Sequence, residues 1–512
     1  MTEYTRAIVA TGHRLVSKAA ADILKAGGNA FDAAVAAGFA GAVAEQTLTS
    51  LGGGGFLLAR TAGKSTAAQE IFFDFFVDTP GLGRSFADEP HFFPVKVDFG
   101  GSTQEFNVGL GSVAVPGILK GLLHVHRRLG KMPLAEVLQP AVELAGGHEL
   151  NEFQAGFLQL LHPIMTMTEY GRSLYEPGGR YMQAHEILAN PDMVAFLLEL
   201  PGDRGENFYQ GDIARRIDQD MQNGGGLLTY ADLSGYRVIE RKPLKALFKG
   251  RTLFTAPPPS MGGSLIALSL ALLDHMGKPP VWGSGDHLVR TTALMQEVEL
   301  LRKKGVCTPA SLERFLAGDG VSASTEHIRL FSRGTTHISV ADKEGNVASM
   351  TCSNGEGSGY FAPGTGIMLN NMMGEDDLHP DGFHCAPAGE RVGSMMSPSL
   401  LLKGDEVELV IGSGGSKRIR TAIVQVLSQI LEHGRPHRLS VESPRVHWDG
   451  DCLQVEPGFA EEALAAVGKK VPLNRWRQQS MYFGGVHLVV PGSLGVGDPR
   501  RGGSVAVVDL QP

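Results

Sequence analysis

Before Gly334 the apolar positions recur mostly at the helical period, and after it they mostly alternate. Residues 16–25 read as a short helix capped by Ser17 and stopped at Gly27-Gly28. Asn29 caps a second helix, 30–44, whose run of Ala, Val, Gly and Phe predicts burial on every side. Pro116 opens a helix that reaches about Leu129, and Pro133 opens another through "PLAEVLQPAVELAGG". Further helices are predicted at 155–161, 193–200, 213–221, 265–273 and 287–305, with Thr229 capping "YADLSGY". Residues 244–254 read as one strand. Beyond Gly334 strands are predicted at 335–341, 347–351, 398–403, 407–411, 482–489 and 504–509, with one helix at about 419–431. Helices first and strands after predict an α+β layered fold rather than alternating βαβ units. There is no fixed-period repeat, which argues against a solenoid.

Two stretches stand out from this pattern. "SLGGGGFLLAR" places four glycines before an apolar strand, which predicts a tight backbone passage into the core. A phosphate loop is the competing reading, but the run lacks the Lys-Ser/Thr ending and a following helix. "GTTHISVADKEGN" sets Thr335 and Thr336 at the head of a hairpin. Ile338 and Val340 share one face, His337 and Ser339 the other, and residues 342–346 are turn chemistry. Threonine favours strands, so pattern alone asks no chemistry of this pair.

Composition narrows the class. The 512 residues are 43% hydrophobic and 20% charged, with a net charge of -8, so no basic excess points to nucleic acid or an anionic membrane. Seventeen histidines form no tract, and Cys307, Cys352, Cys385 and Cys452 form no CxxC pair, so neither a metal nor another cofactor is expected. The N-terminal residues lack an apolar core of signal-peptide length, and 31–43 is too short to span a bilayer. With so few cysteines, the expected location is the cytoplasm.

The hairpin acquires a second meaning from its company. "GTTHISVADKEGN" resembles the segment around the catalytic threonine of γ-glutamyltranspeptidases, which are N-terminal-nucleophile hydrolases. "KAAADILKAGGNAFDAAVAA" with "LGGGGF" resembles that family's first signature, and "VAVPGILKGLLHVHRRLGKMPLAEVLQPAVELA" its second. "GGGLLTYADLSGYRV" with "APPPSMGG" is similar to the third, and "GIMLNNMM", "GSMMSPSL" and "GSGGSKRI" to its active-site loops. The blocks occur together and in family order, which makes them far more specific than any one alone.

The resemblance implies a four-layer αββα sandwich, a single domain over 1–512, cut by its own chemistry into a large subunit, 1–334, and a small one, 335–512. A threonine hydroxyl is a weak nucleophile without a base beside it. Cutting before Thr335 would give it an α-amino group, titrating near ~7.7–8.0, so one residue supplies nucleophile and base. By the same resemblance Ser353 contacts the nucleophile, Gly414 and Gly415 form the oxyanion hole, and Ser394 binds the substrate α-carboxylate. Glu375, with Asp376 and Asp377 beside it, meets the substrate α-amino group. The bland alternatives are a strand-end serine, a strand–helix turn and a solvated acidic loop.

Two positions depart from the family pattern. Phe76 stands where an arginine that clamps the γ-glutamyl carboxylate is expected, and Met395 replaces a second serine. Arg84 is the nearby residue that could stand in for the arginine. The loop between Asp377 and Arg391 is short for the family's lid. The first expectation is hydrolysis or transfer of γ-glutamyl amides such as glutathione, with a small amide or peptide as substrate and water or an amino acid as acceptor. A cephalosporin-acylase-like or small-amide hydrolase is the second. A non-catalytic binding protein on the same fold is the third.

Overall fold

In a computed structural model of the chain, residues 4–63, 67–83, 89–98, 103–304, 334–379 and 382–509 are described. Arg84, Cys307 and the side chain of Asp377 lie outside them. Two antiparallel sheets form the centre. The seven-stranded sheet runs, edge to edge, Ser504–Asp509, Arg6–Thr11, Thr336–Ala341, Val347–Ser353, Gly54–Arg60, Glu70–Phe75, Ile239–Arg241. The six-stranded sheet runs Leu494–Val496, Gly485–Val490, Glu406–Gly414, Ser399–Lys403, Arg251–Thr255, Leu244–Phe248.

Each sheet carries helices on its outer face. Ala30–Ala44 lies against the first sheet with every residue buried, because Arg14–Lys25 and Leu134–Gly146 cover it from outside. Asn29 caps it in a reciprocal box with Asp32, as its sequence predicts. Met261–His275 and Arg418–Leu431 cover the second sheet. Helix, sheet, sheet, helix is the layered α+β arrangement expected from the sequence.

The layer between the sheets is mixed. Ile8, Phe56, Leu58 and Phe72 join the apolar core of the second sheet. At its centre, however, the sheets are stitched by polar side chains. Ser339 Oγ donates to the His487 carbonyl at 3.2 Å, Ser349 Oγ to the Ile411 carbonyl at 3.1 Å, and His337 bonds Thr351 at 2.8 Å. Burial pushes His337 well below the usual histidine range and His487 down to about 4, so both rings are neutral there.

Several sequence expectations need correcting. The first helix begins earlier, at Arg14, and its cap is His13, whose Nδ1 accepts the Leu15 N–H at 3.1 Å. Ser17 is instead buried and bonded to Thr11 Oγ1. Residues 244–254 are two strands, because Lys249 and Gly250 turn at φ 46° and 73°. The split of helices before strands also fails: Arg6–Thr11, Gly54–Arg60 and Glu70–Phe75 build the same sheet as the later hairpin. Arg6–Thr11 escapes a periodic reading because Ala7 to Thr11 are all buried, as in a strand covered on both faces. The glycine run is no phosphate loop. It lies beside the strand carrying Ser353, and a Cβ at Gly53 would overlap the Ser353 carbonyl oxygen.

Candidate active site

The hairpin register pairs Thr336 with Cys352, which sets Thr335 opposite Ser353. Alternation then turns Thr335 and Ser353 toward the space between the sheets, and Thr336 toward the helices. Ser353 Oγ donates to the Gly334 carbonyl at 2.5 Å and accepts the Gly355 N–H at 3.1 Å. The hydroxyl expected beside the nucleophile therefore polarises the carbonyl of the Gly334–Thr335 bond. Gly334 is packed too tightly for a side chain: a Cβ there would lie 2.5 Å from the Gly355 carbonyl oxygen and 2.8 Å from that of Thr47.

Thr335, Ser353, Glu375 and Ser394 line one cavity of about 30 Å³. Phe76 and Met395, the two departures, line it too, joined by Met372, Leu378, Met396 and Ile419. That volume is small beside ligand pockets of about 300–1,000 Å³. Ser394 Oγ accepts the Met396 N–H at 3.2 Å, leaving its own proton to donate. Asp376 opens a short turn and does not line the cavity. Gly414 ends its strand against the Thr335 carbonyl, and Gly415 turns beside Gly484 at φ 122°. Neither lines the cavity; Ser416, one residue on, does. A roomier cleft of about 730 Å³ opens at Tyr4, Arg60, Lys245 and Glu406, and none of the candidate residues lines it.

Among the described residues, no arginine lines the cavity. Arg391 reaches the Phe76 backbone, and its guanidinium is taken up there and by two carboxylates. Its Nη1 donates to the Phe76 carbonyl at 2.7 Å and to Asp74 Oδ1 at 3.0 Å, while Nε pairs with Asp78 at 2.7 Å. Phe76 itself packs its ring on Phe56, centroids 5.4 Å apart.

Three charged residues absent from the sequence reading meet the junction. Glu356 Oε1 accepts the Gly334 N–H at 3.3 Å, Arg501 Nη1 donates to the Thr335 carbonyl at 2.9 Å, and Thr336 Oγ1 donates to Glu45 Oε2 at 2.9 Å. All three are buried. Burial pushes the Glu45 carboxyl up to about 7, against the pull of the Thr336 hydrogen bond and Arg501. Burial also brings Arg501 down to about 10. Glu356 sits in "SNGEGSGY", a glycine-rich run that begins at Ser353 and was the available signal. Arg501 has no local signal at all. Among the described residues, no group of three or more His, Cys, Asp or Glu could hold a metal ion.

The family model described as Gamma-glutamyltranspeptidase matches residues 16–302 and 320–508. The chain belongs to the gamma-glutamyltranspeptidase family. It is therefore an enzyme, of the amidohydrolase and acyltransferase class. Among curated relatives, it is 32% identical to an Acylase ACY 1 proenzyme of Pseudomonas sp. (strain V22), over 91% of this chain and 87% of that one. It is 30% identical to a Glutathione hydrolase proenzyme of Escherichia coli (strain K12), over 91% of this chain and 86% of that one. In fold it is similar to a cephalosporin acylase from Bacillus halodurans, with a TM-score of 0.82, 24% identity, and cover of 99% and 96%. Within the gamma-glutamyltranspeptidase fold, then, this chain keeps the hairpin and its threonine and sets them against an apolar wall.

Proposed function

We propose that the protein is a proenzyme that cuts itself before Thr335 and then hydrolyses or transfers amides whose acyl part lacks an α-carboxylate. In the first step Thr335 Oγ forms a bond to the Gly334 carbonyl carbon while the C–N bond breaks. The hydroxyl proton ends on the departing nitrogen, which becomes the Thr335 α-amine. Water then hydrolyses the ester, giving a Gly334 carboxylate and the free hydroxyl. The Ser353 hydroxyl stands where negative charge develops on the Gly334 oxygen. In turnover the α-amine takes the hydroxyl proton as Thr335 attacks the substrate carbonyl, and returns it to the leaving amine.

The observation that carries the substrate reading is the cavity wall. Phe76, Met372, Met395 and Met396 surround Thr335 with apolar surface. An α-carboxylate placed there meets serine hydroxyls and, among the described lining residues, no guanidinium. Leaving a buried charge without adequate partners costs several kcal/mol, and one hydrogen bond to a charge returns only about 1.5–3. Similarity to proteins named as proenzymes supports the first half of the proposal. The second reading, γ-glutamyl transfer, is favoured by Glu375, whose carboxylate lines the cavity and could meet an α-ammonium. The test compares kcat/KM for a γ-glutamyl anilide and its des-carboxy analogue. The expected result is a preference for the analogue of about tenfold or more; a strong preference for the γ-glutamyl compound overturns the reading.

A further inference from the structure

Three consecutive residues at the junction are each gripped by a different buried charge, and the grips differ in what the cut does to them. Arg501 holds the Thr335 carbonyl and Glu45 the Thr336 hydroxyl. Both contacts belong to residues that stay in the strand after the cut. Glu356 holds the N–H of Gly334 at 3.3 Å. That residue becomes the end of the other fragment and can leave.

The position of Glu356 is fixed independently of Gly334. Its backbone N–H donates to Asn371 Oδ1 at 2.9 Å, and it sits in a turn where Gly355 and Gly357 take φ of 63° and 88°. The turn follows directly from Ser353, the last residue of the partner strand. The carboxylate is therefore built into the same hairpin as the nucleophile. Successive peptide nitrogens are at most about 3.6 Å apart, from the N–Cα, Cα–C and C–N bond lengths. An oxygen 3.3 Å from Gly334 N thus lies within about 7 Å of Thr335 N. The cut turns that nitrogen into a titrating amine.

We propose that Glu356 is a positioning residue that serves the junction twice: it fixes Gly334 for the cut, and afterwards it faces the Thr335 α-amine and sets the pH at which that amine acts as base. The proposal rests on Thr335 being the nucleophile made by internal cleavage. An opposite charge within ~4–6 Å of an amine favours the ammonium, a range that the ~7 Å upper bound leaves open to the Glu356 carboxylate. Glu356 therefore stabilises the ammonium formed as Thr335 attacks, while requiring a higher pH to begin with. The other charged groups facing the amine are Glu45 at the end of the helix Ala30–Ala44, Arg501 from the turn Pro499–Arg501, and Glu375 across the cavity. Arg418 acts at one remove, through Arg501. Cys352, paired with Thr336, is held as the neutral thiol by burial.

Two variants separate grip from charge. Glu356→Gln keeps an oxygen that can accept the Gly334 N–H but removes the charge; Glu356→Ala removes both. Glu356→Gln is expected to cut faster than Glu356→Ala, and the acid limb of its kcat/KM profile is expected to move to lower pH by about one unit. Glu356→Ala is expected to cut about tenfold or more slowly. Because Glu45 itself titrates near neutrality, the shift is measured again in a Glu45→Gln background, where it should persist. An acid limb in cut Glu356→Gln that stays where the wild type has it overturns the proposal, as does a Glu356→Ala chain that cuts at the wild-type rate. A wild-type chain that is never cut is a different result: it removes the reading on which the proposal rests.

Discussion

Thr335 stands between two unlike neighbourhoods. On its backbone side lie Glu45, Glu356 and Arg501, all buried and each bonded to one residue of the junction. On its side-chain side lie Phe76, Met372 and Met395, with Glu375, Ser353, Ser394 and Ser416 as polar residues among them. The first neighbourhood touches only the chain itself, so it can serve cutting and the tuning of the amine whatever the substrate. The second also faces what enters the cavity. If Thr335 is the nucleophile, the contrast implies that its machinery and the choice of acyl group rest on separate residues, which could change independently.

The sharpest break in the comparison is at the nucleophile, which belongs to both sides. Thr335→Ala should abolish the cut, leaving one chain of 512 residues by mass spectrometry, with no measurable amidase activity. A chain still split between 334 and 335 would assign the cut to another group. Next in size is Ser353→Ala, which removes the donor to the Gly334 oxygen. Losing one such donor typically costs ~10²–10³ in rate, so the precursor band on a denaturing gel should persist far longer than in the wild type.

The cavity side is probed by Phe76→Arg. Adding a guanidinium to the wall should raise the ratio of γ-glutamyl to des-carboxy kcat/KM by about 10–150-fold, from ~1.5–3 kcal/mol per charge-assisted hydrogen bond. The ratio is internal to each preparation, so it does not depend on the fraction correctly cut. A ratio unchanged from wild type would show that Phe76 does not face the acyl group.

The hairpin itself shows what the sequence could and could not reveal. The hairpin was legible from its short turn and period-two alternation, but Thr335 and Ser353 were singled out only through the resemblance; they are 18 residues apart in number and opposite each other in space. Glu375, Ser394 and Phe76 were legible only through the resemblance, yet they line the same cavity. Glu45 and Arg501 were not legible: they lie 291 and 166 residues from the atoms they bond. No local pattern encodes a contact of that range. The same reason hid the strand Arg6–Thr11, whose partners are Thr336–Ala341 and Ser504–Asp509. The four-layer order was legible only through the resemblance, and, beyond the hairpin's own pair, which strands shared a sheet was not legible at all.

The smallest effect concerns the polar seam behind the nucleophile. His337 is held neutral by burial, so the unfolded chain takes up a proton below about pH 6.5 and the folded chain does not. Stability from this group is complete above that pH and is lost as pH falls, by ~1.4 kcal/mol per unit. His487 acts the same way down to about 4, and Glu45, pushed up to about 7, acts with the opposite sign. The clean measurement is therefore a difference. In the uncut Thr335→Ala chain, adding His337→Gln should flatten the dependence of urea stability on pH between about 6.5 and 5 by that amount per unit. Parallel curves for the two chains would remove His337 as the source.

The contact between Arg501 and the Thr335 carbonyl also imposes an order of events during synthesis. Thr335 leaves the ribosome 166 residues before Arg501 does. At ~5–20 residues per second this is a delay of roughly 8–33 s. The edge strand Ser504–Asp509, which closes the sheet over Arg6–Thr11, emerges later still. Throughout that interval the nascent hairpin lacks the guanidinium that orients its threonine. If Thr335 cuts the chain as proposed, the turn Pro499–Arg501 would act as a completion signal: a chain released before Arg501 would lack the contact to the Thr335 carbonyl.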